Sequence, residues 1–254
     1  MIEKLFSLEE KTALVTGASR GLGQAMAIAL ADAGANVICA GSRPGSADET
    51  AGIIEKKGRK SWSVFGDLSS SSEVEKLAED ANSCSRTIDI LVNNAGTIER
   101  FPAAEYPTEA WERVIQTNLN SVYFLSRYFG AKMIERKQGK IVNTASLLSF
   151  SGGITVPSYA ASKHAVAGLT KALANEWAVK NIQVNAIAPG YFKTDNTQAL
   201  QNNKERFAEI SARIPASRWG IPEDLSGAVI FLSSKASDYV NGHILTVDGG
   251  WMAR

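Results

Sequence analysis

The chain has 254 residues, enough for one large α/β domain or two small ones. Its 44% hydrophobic and 21% charged content fits a globular protein and excludes a mostly disordered one. With 27 basic and 26 acidic residues the net charge is +1, which gives no electrostatic footprint for nucleic acid or an anionic membrane surface.

The first predicted strand is the apolar run 13–15, and a glycine-rich turn follows it. Residues 23–33 are Ala-rich and predict a helix, with Gly34 placed to cap it. Runs 36–40 and 63–65 predict the second and third strands. Residues 71–81 open with serines and predict a helix. Run 88–92 predicts the fourth strand. Residues 111–136 carry Trp111, Val114, Ile115, Leu119, Val122, Leu125 and Phe129 at three-to-four spacing, which predicts one long helix. Strands at 140–143, 182–188 and 243–247, with a helix at 158–179, complete the pattern.

Short Val/Ile-rich runs with no polar alternation predict strands buried on both faces. Alternation with helices predicts a doubly wound Rossmann-type parallel sheet of seven strands, helices on both faces, in one domain spanning 1–254. No apolar stretch is long enough to span a membrane, and the mixed, charged N-terminus lacks a secretory core, so a cytoplasmic protein is expected. Cys39 and Cys84 have no metal or redox spacing, and Cys39 sits in an apolar run as a small hydrophobe. His164 and His243 are too few for a multi-histidine cage, and no metal is expected.

The turn after the first strand reads Thr16-Gly17-Ala18-Ser19-Arg20-Gly21-Leu22-Gly23. Gly17 permits a tight strand-to-helix turn, Gly21 lets backbone N–H groups approach a pyrophosphate, and Gly23 lets the helix pack close. The helix N-terminus then offers free donors and a positive dipole end. A purely structural turn is the alternative.

Tyr159 and Lys163 are four apart and share one helix face. A ketone receiving a hydride needs a proton, and a tyrosine can give it or take it back. Free tyrosine titrates near pH 10, so an adjacent ammonium that favours tyrosinate is the expected device. Ser146 follows the fifth strand, where its hydroxyl can hold a substrate carbonyl. Alone, such a pair is commonplace on a surface helix, and Ser146 can be a turn residue or cap.

In sum, the glycine turn, Asn93-Asn94-Ala95-Gly96, Ser146 with Tyr159-Ala160-Ala161-Ser162-Lys163, Pro189-Gly190 and Asp248-Gly249-Gly250 resemble the short-chain dehydrogenase/reductase family. The resemblance runs from about Lys11 to the C-terminus. It implies an NAD- or NADP-dependent oxidoreductase acting on CH–OH groups. It implies a catalytic group of Asn118, Ser146, Tyr159 and Lys163, with Asn118 anchoring a water that relays protons to Lys163. It places Gly17, Ser19, Arg20, Gly21, Leu22 and Gly23 at the phosphates, and Asp67 and Leu68 at the adenine. It places Asn94, Ala95 and Gly96 along the ribose, Tyr159 and Lys163 at the nicotinamide end, and Pro189, Phe192 and Thr194 at the carboxamide.

The end of the second strand, Ala40-Gly41-Ser42-Arg43-Pro44, lacks the acid that binds a ribose diol. Arg20 and Arg43 suit a 2′-phosphate, or are ordinary solvated arginines. The family branch that the chain resembles leans to NAD, so activity with both dinucleotides is expected.

Within the family, residues 6–8, 146–153, 174–177, 194–197, 213–215, 218–220 and 249–251 resemble a branch acting on keto-deoxy sugar acids from uronate breakdown. Reductases of alginate-derived uronates, gluconate 5-dehydrogenases and 3-oxoacyl-thioester reductases stay open as alternatives. So does a non-catalytic nucleotide-binding scaffold, though such proteins usually lose the Tyr or Lys. Ser146, Tyr159, Tyr191 and Arg218 are the expected substrate contacts. Arg100, Lys193, Arg218 and Arg254 are the candidate cations for a carboxylate, with Arg218 preferred. Residues 191–218 are polar, follow a strand end and are expected to form a lid. The resemblance implies a homotetramer; Trp177 and Trp251 suit its interfaces, with core packing equally open for Trp177.

Overall fold

The computed structural model describes residues 2–254. After a short exposed helix α1 (Ile2–Phe6), the chain alternates strands and helices. The strands are β1 (Thr12–Thr16), β2 (Asn36–Gly41), β3 (Ser61–Phe65), β4 (Ile90–Asn93), β5 (Gly139–Thr144), β6 (Ile182–Pro189) and β7 (Ile244–Val247). The helices between and after them are α2 (Gly21–Asp32), α3 (Asp48–Lys56), α4 (Ser71–Cys84), α5 (Thr108–Ile115), α6 (Ser121–Arg136), α7 (Pro157–Trp177), α8 (Gln198–Asn202), α9 (Lys204–Arg213) and α10 (Ser226–Ser233). The sheet has seven strands in the order β3-β2-β1-β4-β5-β6-β7, and every pairing is parallel. This is the doubly wound Rossmann-type fold that the apolar runs predict.

Side chains alternate across the pleat and feed two cores. Ala13, Val15, Val37, Cys39, Ile90, Val92 and Val142 pack against α2, α3 and α10. Leu14, Ile38, Leu91, Ile141 and Val184 face α4, α6 and α7. Each fully buried Val, Leu or Ile contributes about 1.5–3 kcal/mol. The central strands are therefore apolar on both faces, which the sequence shows as unbroken runs. β3 departs from that expectation: Ser63 and Phe65 are exposed, because β3 is an edge strand.

Trp177 lies in the core, not on the surface, and a Cβ on Gly130 would come 2.6 Å from its ring. Cys39 is buried, and that burial pushes its thiol up to about 12, which keeps it unreactive. Gly34 takes φ +110° just past α2, as a helix stop requires. The single helix predicted at 111–136 is divided. A π turn, Gln116–Asn120, separates α5 from α6 and gives the backbone an extra residue at Asn118. No helix among the described residues is long and apolar enough to cross a membrane.

Candidate active site

The strand order reverses between β1 and β4, and a crevice opens beyond their C-terminal ends. A cleft of about 550 Å³ lies there, running from Gly41 and Asp67 to Ser146 and Tyr159. Thr16 fastens the two strand ends together. Its hydroxyl accepts from the Asn94 and Ala95 N–H groups, both at 3.0 Å. The Asn94 amide donates back to the Thr16 and Gly17 carbonyls at 3.0 and 3.3 Å. These bonds shape the turn into α2.

Gly17 and Gly21 sit at φ +64° and +57°, which favours residues without a Cβ. A Cβ on Gly23 would lie 2.1 Å from the Gly17 carbonyl oxygen, so α2 packs as close as its backbone allows. The N-cap Arg20 supplies no side-chain cap, leaving the first N–H groups of α2 open to the cleft. That glycine cradle at a helix N-terminus fits the pyrophosphate of a dinucleotide.

At the inner end, α7 presents Tyr159 and Lys163 on one face. The Lys163 Nζ is 5.6 Å from the Tyr159 ring centre and donates to the Thr144 carbonyl at the end of β5, 2.6 Å away. Ser146 starts the turn after β5. Its Oγ accepts from the Leu148 N–H at 3.2 Å, and its own N–H donates to Ser149 Oγ at 3.2 Å. Ser149 in turn donates to the Lys163 carbonyl at 2.7 Å, which joins the serine turn to α7.

Burial pushes the Tyr159 phenol up from its usual value, while a hydrogen bond from Ser146 and the Arg100 charge pull it down. Burial also lowers Lys163 to about 8. The charge that lowers the tyrosine in this structure is that of Arg100. In a dry site both charged forms are penalised, and the ammonium is directed at a main-chain carbonyl.

Asn118 is fully buried on the π turn. Its Oδ1 accepts from the Thr97 N–H at 2.8 Å, and its Nδ2 donates to the Thr97 carbonyl at 2.9 Å and to Ser162 Oγ at 3.2 Å. A Cβ built on Gly96 would stand 3.3 Å from Asn118 Oδ1 and 3.8 Å from Lys163 Nζ, so the three meet.

The cleft gathers Gly17, Ser19, Arg20, Gly21, Leu22, Gly23, Asp67, Leu68, Asn94, Ala95, Gly96, Ser146, Tyr159, Lys163, Pro189, Phe192 and Thr194 from segments far apart in sequence. Arg43, exposed just past β2, does not line it. Tyr191 and Arg218 lie outside it as well, in a smaller depression with Asp224 and Asp248. Tyr191 packs against Trp219 and Trp251, with ring centres at 5.3 and 4.7 Å. Arg218 is held by the Asp224 carboxylate through two bonds of 2.6 and 2.9 Å, so the preferred carboxylate cation is already paired. Arg20 meets Asp195 at 3.1 Å across the cleft mouth, both well exposed. His164 is exposed and bonds the Ala160 carbonyl.

Ser42, Thr97, Thr117 and Thr144 also line the cleft and escape the sequence reading. Ser42 had one signal: it stands where an acid is missing at the end of β2. Pro189-Gly190 and Asp248-Gly249 prove to be neighbours, since a Cβ on Gly190 would lie 2.7 Å from Asp248 Cα. Among the described residues, no group of three His, Cys, Asp or Glu is placed to hold a metal.

Residues 11–205 match the short chain dehydrogenase family profile. The chain belongs to this family. It is an NAD(P)-dependent oxidoreductase of CH–OH groups. This short-chain dehydrogenase is 53% identical over 249 residues to the 2-dehydro-3-deoxy-D-gluconate 5-dehydrogenase of Bacillus subtilis (strain 168), covering 98% of this chain and 97% of that one. It is 49% identical over 255 residues to the enzyme of that name from Escherichia coli (strain K12), covering both chains fully at 100%. Among solved structures, a gluconate 5-dehydrogenase from Burkholderia cenocepacia J2315 in complex with NADP and tartrate superposes with a TM-score of 0.96 at 36% identity, covering 100% of each chain.

Proposed function

We propose that this short-chain dehydrogenase interconverts a secondary alcohol and a ketone on a keto-deoxy sugar acid, with 2-dehydro-3-deoxy-D-gluconate as its substrate. The observation that carries the chemistry is the convergence of Ser146, Tyr159 and Lys163 at the inner end of the glycine-cradled cleft. Relatives of that name at 53% and 49% identity support the substrate class.

When bound, NAD(P) supplies the hydride acceptor or donor. Gly17, Ser19, Arg20, Gly21, Leu22 and Gly23 hold its phosphates. Asp67 and Leu68 flank the adenine, Asn94, Ala95 and Gly96 the ribose, and Pro189, Phe192 and Thr194 the carboxamide. Ser146, whose Oγ accepts from the Leu148 N–H, gives its hydroxyl proton to the substrate oxygen in place of the Tyr159 contact. Tyr159 takes the alcohol proton in oxidation and returns it in reduction. Lys163 favours the phenolate through its charge and exchanges protons beside Gly96 and Asn118. Asn118 fixes Thr97 and the floor of that proton path.

We infer NADP acceptance alongside NAD, supported by the absence of an acid at Gly41-Ser42-Arg43 and by the exposed Arg43. Residues 191–218 act as a lid over the outer cleft, with Phe192 and Thr194 facing it. The protein works as one domain, in the cytoplasm, as a homotetramer. A second reading, gluconate oxidised at C5, is favoured by the structural likeness to the Burkholderia gluconate 5-dehydrogenase.

The test is kcat/KM for oxidation of 2-dehydro-3-deoxy-D-gluconate and of D-gluconate, with NAD and NADP in parallel. A preference of about tenfold or more for the keto-deoxy acid supports the first reading. Turnover of gluconate alone moves the assignment to the second, and turnover of an acyl thioester alone removes both.

A further inference from the structure

The turn that carries Ser146 is short, and its far end is bonded to α7 through one side chain. Residues 147–149 form a single 3₁₀ turn, closed by the Ser149 N–H on the Ser146 carbonyl at 2.9 Å. Such a turn has poor hydrogen-bond geometry and little stability alone. Lys163 grips the segment at both ends. Its Nζ donates to the Thr144 carbonyl at 2.6 Å, and its main-chain carbonyl accepts from Ser149 Oγ at 2.7 Å. The same Ser149 Oγ accepts from the Ser146 N–H at 3.2 Å. Ser146 is therefore suspended between two anchors on one residue of the helix that carries Tyr159.

We propose that Ser149 is a positioning residue for the reaction: through this link it holds the Ser146 hydroxyl in register with Tyr159. The inference rests on the reading above, in which Ser146 and Tyr159 meet one substrate oxygen. Two groups that share one oxygen must keep their separation to a few tenths of an ångström, and a misplacement of about 1 Å costs on the order of 100-fold in rate. Tyr159 is set by α7, whereas Ser146 comes from the end of β5. The Ser149 hydroxyl puts the two in one frame, because it gives its proton to the backbone of α7 and takes one from the backbone of Ser146.

Ser149 is 7% exposed and does not line the cleft, so it acts through Ser146 and not on the substrate. Without its hydroxyl the Ser146 N–H loses its acceptor, and the peptide unit before Ser146 is free to turn toward another one. Ser151 provides the comparison. It is exposed, and its Oγ donates to the Leu147 carbonyl at 3.2 Å, so it braces the same turn without bonding Lys163.

The experiment measures kcat, cofactor Kd and Tm for Ser149→Ala, Ser149→Thr and Ser151→Ala, and repeats Ser149→Ala in a Ser146→Ala background. The assay is oxidation of 2-dehydro-3-deoxy-D-gluconate, or of D-gluconate if that proves the better substrate. Ser149→Ala is expected to lower kcat by about 10- to 100-fold with the cofactor Kd within about twofold of wild type. Ser149→Thr keeps the hydroxyl and recovers most of that loss, and Ser151→Ala stays within about twofold. In the Ser146→Ala background, adding Ser149→Ala costs less than about twofold more, because the group it positions is gone. A destabilised fold alone would lower both backgrounds equally. Equal losses in the two backgrounds, a threonine variant as slow as alanine, or near-normal turnover by Ser149→Ala overturns the role of Ser149 while leaving the reaction standing. Near-normal turnover by Ser146→Ala overturns both.

Discussion

Lys163 is tied to Thr144: its ammonium donates to that residue's main-chain carbonyl at 2.6 Å, linking α7 to the end of β5. The bond holds the helix face that carries Tyr159 at the mouth of the sheet. It does so at a cost, because Lys163 is only 4% exposed and its charge is poorly solvated. The folded lysine titrates at about 8, against 10.5 when free. Between those values the unfolded chain binds more protons, so this group makes stability rise with pH across that window. Below it the buried charge costs on the order of 3 kcal/mol, partly offset by the bond to Thr144. Lys163→Met is therefore expected to be about 1–2 kcal/mol more stable than wild type at pH 7. The gain shrinks toward pH 10.5, and turnover falls by about 100-fold or more. Denaturant unfolding at pH 7 and pH 10 measures this, and a Met variant less stable at pH 7 would contradict it.

The glycines make a second pair of expectations. A Cβ at position 23 would meet the Gly17 carbonyl oxygen at 2.1 Å and the Asn94 amide at 2.4 Å. Neither can retreat without opening the cradle. Gly23→Ala is expected to cost about 1–3 kcal/mol and to raise KM for the cofactor. Gly52, inside α3, has nothing within 4 Å of its missing Cβ. Gly52→Ala is expected to stabilise by about 0.5–1 kcal/mol with unchanged kinetics. Thermal unfolding and cofactor titration of both variants decide the matter.

Cofactor choice is expected to depend on the end of β2. Ser42 lines the cleft and Arg43 stands exposed beside it, with no carboxylate to repel a 2′-phosphate. Arg43→Ala is expected to lower kcat/KM with NADP by about tenfold and to leave that with NAD within about twofold. Initial rates with the two dinucleotides read the ratio. Equal losses with both would place Arg43 in general binding and remove its part in selection.

The strands were legible because burial on both faces leaves apolar runs, as at Leu91-Val92 and Ile141-Val142. β3 looked the same in sequence but is an edge, where Phe65 faces solvent. The π turn at Asn118 was hidden because the apolar spacing of 111–136 continues through it. α9 was hidden by its polarity, since Ile210 is its one buried residue. The site motifs could be read because each is short and contiguous. The bonds from Thr16 to Asn94, from Ser149 to Lys163 and from Tyr106 to Ser158 could not, since no sequence spacing announces a partner that folding alone brings near.

The most direct test of the account is Tyr159→Phe, which deletes one oxygen from a position that α7 packing otherwise preserves. Oxidation of 2-dehydro-3-deoxy-D-gluconate is followed by nicotinamide absorbance, with cofactor binding measured separately. The account predicts a fall in kcat of about 1000-fold or more with the cofactor Kd within about threefold of wild type. Near-normal turnover by the phenylalanine variant would contradict the assignment of Tyr159 as the proton-transferring group.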